Sequence, residues 1–258
     1  MISKNRIKAI RQLENKKYRR TAGLFVAEGP KVVADLMEKN IPVTLIAVEQ
    51  WMEAHPQTED TEVICVSEDE LRRVSFLQHP QQVMGLFQIP TQNVDLAALA
   101  KCAQQQLCIV LDGVRDPGNL GTIIRIADWF GIDTIICSED CADVYSPKVV
   151  QATMGSIARV RVTYAQLEQL MDMLPREVPV YGTVLDGEDI YQTPLSNVGL
   201  LVMGNEGRGI SPEIIARLTH KLLIPNYPPQ RDTADSLNVA IATAISCAEF
   251  RRRLAVSQ

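Results

Sequence analysis

Short apolar runs alternate with amphipathic segments along the first third of the chain. Between Leu24 and Ile89 this pattern predicts strands at FVAE, VTLIAV, EVICV and VMGLFQI, and helices at PKVVADLMEKN and SEDELRRVSF. Pro30 suits the first turn of the first helix, and Ser67 with Glu70 forms a capping box at the second. The pattern therefore predicts a small α/β layer.

From residue 107 onward the apolar runs are longer and are separated by helical periodicity. We predict strands at 107–111, 134–137, 159–162, 179–184, 199–203 and 221–224, and helices at 119–130, 146–154, 165–173, 211–218 and after residue 236. Strands and helices in this order predict a parallel sheet covered on both faces. Ligands of such sheets bind at the carboxyl ends of the strands, where loops at Asp112, Thr183, Gly204 and Pro225 would meet.

These two patterns divide the chain into domains. Residues 1–92 form the first domain and residues 107–258 the second, with 93–106 as a linker or joining helix. The last helix is capped by Asp235 or Ser236, so Ser236 and Asn238 lie at a helix N-terminus, where a ligand can be held.

Composition excludes several classes of protein. With 46% hydrophobic residues in 258, the chain can bury a large core, yet no apolar run approaches a membrane span and no export signal follows the basic start. The six cysteines form no CxxC pair and are expected to be buried, and the three histidines have no metal-site spacing. We expect a cytoplasmic protein without a metal.

The charge is distributed unevenly. Residues 1–20 carry a net charge of +7, whereas the remainder carries −12. A solvated amphipathic helix would explain the basic segment, and so would a surface that follows RNA phosphates. Charge alone leaves these two readings about equal.

Three motifs in the second domain carry a resemblance to a known family. They read DPGNLGTIIRIADWFG, LVMGNEGRGIS, and IP followed by SLNVAIATAI. In residue type and order they resemble the motifs of the SpoU (TrmH-like) RNA ribose 2′-O-methyltransferases of the SPOUT superfamily. The resemblance implies an S-adenosylmethionine-dependent methylase with a deep C-terminal trefoil knot, usually a homodimer. The segment FVAEGPKVVADLME resembles the substrate-recognition domain of many members, whose fold is like that of kink-turn-binding ribosomal proteins.

The resemblance also assigns roles to single residues. The family's catalytic arginine corresponds to Arg125, which would bind the phosphate and the developing oxyanion, because a guanidinium is always protonated and cannot accept a hydrogen bond. The other catalytic positions correspond to Asn119, Glu206, Ser236 and Asn238. Each has a structural alternative: an ion pair for Arg125, a helix cap for Asn119, Ser236 and Asn238, and a solvated loop charge for Glu206.

Cofactor and RNA contacts follow in the same way. Family positions that hold S-adenosylmethionine correspond to Gly204, Ile224 and Leu237, with Thr183 as a weaker addition. With the resemblance, RNA contact becomes the preferred reading of the basic segment, and the candidates are Lys4, Arg11, Lys16, Lys17, Arg19 and Arg20.

The sequence therefore predicts an RNA ribose 2′-O-methyltransferase, with ribosomal RNA preferred as substrate. Transfer RNA as substrate, or a non-catalytic RNA-binding protein of the same fold, remain alternatives, whereas glycine spacing disfavours a nucleotide-dependent oxidoreductase. The chain departs from the family pattern in the long loop NYPPQRDTAD and at Gln151, where many relatives have arginine. Arg231 in that loop is either an added RNA contact or a solvated charge.

Overall fold

The computed structural model describes residues 2–55, 60–91, 93–228, 231 and 234–256, with side chains up to residue 253. The chain forms two compact units. One comprises Met1–Thr91 with Asp143–Ala158, and the other comprises Gln92–Ala142 with Arg159–Gln258. Both units combine helices with a single sheet.

The first unit contains a four-stranded sheet with the order β1-β4-β2-β3. Its elements are α1 (Lys4–Gln12), α2 (Lys16–Ala22), β1 (Leu24–Glu28), α3 (Pro30–Met37), β2 (Thr44–Ala47), α4 (Glu49–Ala54), β3 (Glu62–Cys65), α5 (Glu68–Val74) and β4 (Val83–Gln88). Strand β4 is antiparallel to β1 and β2, and β2 is parallel to β3. The predicted α/β layer is confirmed, with the short helix α4 as an addition.

Local signals explain where these helices begin and end. The predicted capping box is present at α5, where Ser67 and Glu70 exchange side-chain to backbone hydrogen bonds. Helix α2 ends at Gly23, whose φ of 66° suits the left-handed conformation that a helix C-terminus requires. Along β1, Phe25 packs on one face of the sheet and Val26 on the other. Both faces are therefore buried.

The second part of the chain continues with α6 (Leu96–Gln105), β5 (Leu107–Asp112), α7 (Pro117–Trp129), β6 (Thr134–Cys137), α8 (Pro147–Ala152), β7 (Arg161–Tyr164), α9 (Leu167–Asp172), β8 (Val180–Asp189), β9 (Gly199–Gly204), α10 (Pro212–Ile215), β10 (His220–Leu223) and α11 (Val239–Val256). Its six strands form one sheet in the order β10-β8-β9-β5-β6-β7, and every neighbouring pair is parallel. This confirms the predicted parallel sheet.

Helix α8 and the short 3-10 helix Ser156–Ala158 pack in the first unit. Val150 is 1% exposed within the same core cluster as Phe25, and the rings of Tyr145 and Phe25 lie 4.9 Å apart. The sequence pattern assigns these residues to the second domain, whereas the structure packs them in the first unit. They pack against β1, which lies more than a hundred positions earlier in the chain.

Strand β8 is longer than predicted because it contains a bulge. Against β10, its register jumps from Gly182, opposite Lys221, to Glu188, opposite Leu222. The five residues Thr183–Gly187 are thereby displaced from the ladder. Strand pairing then resumes and continues to Asp189.

The cysteines match their prediction in part. Four are buried, but Cys102 is only partly buried and Cys65 is exposed at the end of β3, a strand at the edge of its sheet. All six are free thiols. Among the described residues, no group of side chains is arranged to hold a metal, and no described helix has the length and apolarity to cross a bilayer.

Candidate functional site

The second unit collects three loops at the carboxyl ends of its central strands. Strand β5 ends at Asp112, directly beside Gly204 at the end of β9. The Asp112 carboxylate accepts a hydrogen bond of 2.7 Å from the backbone N–H of Ser211, which closes the loop after β9. The loops that carry the first two motifs are therefore neighbours.

Helix α7 begins at this edge of the sheet, and Asp116 caps its N-terminus. Asp116 accepts a hydrogen bond of 2.8 Å from the backbone N–H of Asn119, and Pro117 occupies the first turn. Asn119 thus lies two residues inside the helix, so the alternative that it caps α7 is wrong. Its side chain is available for other contacts.

The Asn119 amide is held at both ends by residues of the other two motifs. Its Nδ2 donates to Glu206 Oε1 at 2.9 Å, and its Oδ1 accepts from Asn238 Nδ2 at 2.9 Å. An asparagine amide has two N–H donors and two acceptor lone pairs. One N–H and one lone pair of Asn119 therefore remain available at fixed positions.

Asn238 also caps the N-terminus of the last helix. Its Oδ1 accepts from the backbone N–H groups of Ala240 at 2.9 Å and Ile241 at 3.3 Å, and its carbonyl accepts from Ala242. The predicted caps Asp235 and Ser236 are therefore wrong, since the helix begins later. Ser236 is exposed, and within the described part of the chain it joins neither Asn119 nor Glu206.

The loop that carries Glu206 is organised by its neighbour Asn205. The Asn205 amide donates to the Gly113 carbonyl at 2.6 Å and accepts from the N–H groups of Gly207 and Arg208, both at 3.0 Å. Its backbone pairs in both directions with Gly209 at 2.9 Å. Sequence reasoning missed this residue, although asparagine before two glycines is a known turn signal.

Arg125 lies apart from this cluster. It is six residues beyond Asn119, which places it about 9 Å further along the helix and about a third of a turn away from the same face. Its side chain is exposed, and it has no carboxylate partner among the described residues. The alternative of a surface ion pair thus finds no support, and the structure does not bring Arg125 to Asn119 within one chain.

The predicted cofactor positions surround the same edge of the sheet. Gly204 ends β9, Thr183 lies in the bulge of β8, and its hydroxyl donates to Met203 Sδ at 3.6 Å. Ile224 follows β10 directly, and Leu237 precedes α11 with half of its side chain exposed. In the described part of the chain, no backbone hydrogen bond involves Ile224 or Leu237. Their N–H and C=O groups suit a ligand that is recognised through the main chain.

Only part of the long loop after Pro225 is described. Asn226 donates from Nδ2 to the Arg231 carbonyl at 3.2 Å, and Arg231 N–H donates to the Pro228 carbonyl at 3.2 Å. Tyr227 is 87% exposed. The rest of this predicted loop, residues 229, 230, 232 and 233, lies outside the described residues.

The turn after β6 is hydrogen-bonded to the loop that follows β5. The Ser138 hydroxyl accepts from Gly113 N–H at 2.8 Å and donates to Asp140, which also pairs with Arg115 at 2.6 Å. The hydrogen bond from the Ser138 hydroxyl lowers the pKa of Asp140 most, and the hydrogen bond from Arg115 lowers it further. A hydrogen bond from the Cys137 thiol lowers the pKa of Cys141 to about 7.

The predicted RNA contacts in the first unit fall into two groups. Lys4, Lys16, Lys17 and Arg20 are exposed, and Arg11 is exposed while its guanidinium lies over the Phe76 ring. Arg19 is only 2% exposed. It donates to the Leu13 and Glu14 carbonyls, both at 2.7 Å, and pairs with Asp143 at 2.5 Å. The prediction that Arg19 contacts RNA is therefore wrong, because its guanidinium is buried and bound to Asp143 and two carbonyls of the protein itself.

Comparison with known proteins places this site in context. Residues 106–248 match the model of the SpoU rRNA methylase family, and residues 4–85 match the MRM3-like substrate binding domain. The 23S rRNA (guanosine(2553)-2′-O)-methyltransferase RlmP of Bacillus subtilis is 32% identical over 93% of both chains.

Solved structures agree along the whole length. A TrmH-family protein from Porphyromonas gingivalis is 41% identical with a TM-score of 0.86, covering 98% of this chain and 99% of that one. An rRNA methyltransferase from Sinorhizobium meliloti with bound AdoMet is 34% identical with a TM-score of 0.82, covering 98% and 97%.

Proposed function

Since the chain belongs to the SpoU rRNA methylase family, we propose that it transfers a methyl group from S-adenosylmethionine to a ribose 2′-hydroxyl of ribosomal RNA. The observation that carries this proposal is the chain of hydrogen bonds from Asn238 through Asn119 to Glu206. It joins one residue from each of the three motifs. A protein that only binds RNA has no need for such an arrangement.

Ribosomal RNA is preferred over transfer RNA as the substrate. RlmP, which matches over nearly the whole of both chains, is named as a 23S rRNA methyltransferase. The match extends through the first unit, where residues 4–85 correspond to a substrate-binding domain. The first unit would therefore select the RNA, and the second would carry out the transfer.

Asn119 is suited to position the reacting hydroxyl. With its Nδ2 on Glu206 and its Oδ1 on Asn238, it offers the hydroxyl one donor and one acceptor in a fixed orientation. Such positioning places a reactant close to its attack geometry before the reaction begins. Glu206 and Asn238 would act through Asn119.

Arg125 supplies the positive charge. A guanidinium stays protonated and binds phosphate or a developing oxyanion strongly, so it would hold the adjacent phosphate and stabilise the oxygen as its proton leaves. Because Arg125 is exposed and turned away from Asn119, we propose that it acts on the site of a second subunit in a homodimer. Mixing the inactive variant Arg125→Ala with the strongly impaired variant Asn119→Ala would then raise the activity above that of either variant alone, whereas a site built within one chain would show no such gain.

The donor set at the strand ends fits S-adenosylmethionine. Gly204, Ile224 and Leu237 offer backbone groups, and Thr183 offers a hydroxyl beside them. When bound, the cofactor supplies a methyl group made electrophilic by the sulfonium. The protein's part is to hold that ligand with main-chain groups and to exclude water.

Lys4, Lys16, Lys17 and Arg20, together with Arg11, would neutralise phosphates of the RNA. We also propose that the second unit contains the trefoil knot of the family and that the protein acts in the cytoplasm. The acidic charge outside residues 1–20 would direct the phosphates of the RNA toward these cations.

The proposal is tested by binding and transfer measured separately. Calorimetric titration with S-adenosylmethionine should show binding, and tritiated methyl transfer to unmodified ribosomal RNA should leave the label in alkali-resistant dinucleotides. Arg125→Ala should abolish transfer while binding persists, and Arg161→Ala, an exposed arginine at the opposite end of the sheet, should retain both. Failure of the wild-type protein to bind the cofactor would refute the enzyme assignment.

A further inference from the structure

The first unit contains a cleft that includes none of the residues assigned above. Its volume is 330 Å³, which is enough for a small organic group. It lies where β1 and β2 end, since Pro30 follows β1, Val48 follows β2, and Gln82 precedes β4. All of its lining residues belong to the first unit.

Part of the cleft lining is apolar. Val48 and Pro30 are partly buried, and Leu71 of α5 is 2% exposed. These side chains form compact apolar surfaces without a charge. They suit the face of a flat, weakly polar ring better than they suit an ion.

The rim of the cleft is polar but electrically balanced. Gln50, Gln81 and Gln82 are exposed there, and each amide can both donate and accept hydrogen bonds. The charges of Glu68 and Arg72, also in the lining, are opposite in sign. A phosphate would find no excess of positive charge here, whereas a neutral ring with donors and acceptors along its edge would find partners.

One wall is held in a strained conformation. Gln82 has a φ of 50°, and the Val83 N–H donates back to the Gln81 carbonyl at 2.5 Å. A non-glycine residue in this region costs about 1–3 kcal/mol and persists only where neighbouring contacts enforce it. The Val48 N–H enforces it by donating to the Gln82 carbonyl at 2.9 Å.

The same loop is anchored at its beginning. The buried carboxylate of Glu28 accepts a hydrogen bond from the hydroxyl of Ser75 and, at 2.9 Å, one from the N–H of Phe76. Arg11 donates to the Ser75 carbonyl at 2.7 Å. The wall that presents Gln81 and Gln82 is thus built before any ligand arrives, which lowers the entropy cost of binding.

We propose that this cleft binds one unstacked nucleobase of the RNA substrate. The base lies against Pro30 and Val48, and its edge is read by the amides of Gln50, Gln81 and Gln82. Sequence-specific recognition of RNA commonly uses bases that have left the stack in this manner. The inference rests on the proposed function for the identity of the partner, and it adds a recognition site built from residues of the first unit.

The test compares three variants with a matched control. Gln50→Ala and Gln81→Ala remove edge contacts, and Val48→Phe fills the cleft. Gln78→Ala changes an exposed glutamine of the same loop that does not line it. Each of the first three should raise the KM for unmodified large-subunit ribosomal RNA by about 3- to 10-fold, as expected for one or two lost contacts. The kcat and the affinity for S-adenosylmethionine should be unchanged, and Gln78→Ala should behave as wild type.

Equilibrium binding of the same RNA, measured by filter retention, separates this inference from the proposed function. Weaker binding by the three variants supports the nucleobase site even if the wild-type protein transfers no methyl group. Equal binding by all proteins overturns the inference, and so does a loss that Gln78→Ala shares. Melting temperatures close to wild type are required of Val48→Phe, and if that variant is destabilised the two glutamine variants decide the outcome.

Discussion

Replacing Gly204 by alanine removes no functional side chain, yet we expect it to disturb the methyl-transfer site strongly. A Cβ built at Gly204 would lie 2.3 Å from both the Gly209 carbonyl carbon and the Ile210 nitrogen. Both are backbone atoms, so no side-chain rotation can relieve the contact. The loop must move away from the end of β9 by about 1 Å to reach an ordinary contact distance.

The cost of that movement follows from the contacts that it breaks. Asn205 and Gly209 exchange two backbone hydrogen bonds of 2.9 Å across the neck of this loop. Each is worth about 1 kcal/mol net, and the residual strain adds about 1 kcal/mol more. We therefore expect Gly204→Ala to lower the free energy of unfolding by about 3 kcal/mol.

For a unit of this size, such a loss corresponds to a fall of about 6–12 °C in the melting temperature. The same movement shifts Glu206 away from Asn119, so the methyl-transfer rate at a temperature where the variant remains folded should fall by about 100-fold. Thermal unfolding followed by circular dichroism and the tritium assay give the two numbers.

Gly207→Ala is the matched control in the same loop. A Cβ there would meet nothing closer than Asn205 Oδ1 at 3.7 Å. Its stability should change by less than about 0.5 kcal/mol. Equal melting temperatures for the two variants would refute the reasoning, because the close backbone approach at Gly204 would then have no energetic consequence.

Three further changes test other parts of the structure. Asn119→Ala should reduce kcat by about 100-fold with little change in cofactor affinity, measured by transfer and calorimetry. Arg19→Ala should destabilise the protein by about 3–5 kcal/mol in denaturant unfolding because it leaves Asp143 and two carbonyls without their partner, whereas Arg20→Ala should mainly weaken RNA binding at low salt. Hydrogen bonding to Arg252 lowers the pKa of Glu249 to about 2, so its contribution is present above its ordinary pKa and is lost as pH falls from about 4.5 toward 2. Glu249→Gln should remove that part of the acid dependence, about 2 kcal/mol after allowance for the exposure of Arg252.

Each of these has an outcome that contradicts it. Loss of cofactor binding by Asn119→Ala would make that residue part of the cofactor site instead. Equal stability of the Arg19 and Arg20 variants would contradict the structural role of Arg19. An acid-unfolding curve for Glu249→Gln that parallels wild type would show that other carboxylates account for the pH dependence.

Local sequence patterns predicted most of the elements, because apolar periodicity and caps are local properties. The capping box at Ser67 and the helix start at Pro30 are examples. The cap of α11 was misplaced because Asp235, Ser236 and Asn238 are all good caps. The choice among them is made by Asn119, which is 119 residues away and binds the Asn238 amide.

Charge patterns failed at Arg19 for a similar reason. Within residues 1–20 it looks like its neighbours, and only the fold shows that Asp143, 124 residues later, lies beside it. Helix α8 was placed with the wrong neighbours because its partner, Phe25, cannot be read from nearby sequence. In both cases the missing information is a contact between distant segments.

The candidate site shows where prediction from sequence ends. Each of its loops was predicted, but their meeting depends on strand order: β9 pairs with β5, although β6, β7 and β8 lie between them in the chain. That pairing places Glu206 beside Asn119, and packing of α11 against α7 brings Asn238 to the same amide. A sequence pattern can therefore identify the three polar residues. Only the topology of the sheet shows that they bind one another and that Arg125, on the same helix as Asn119, does not join them.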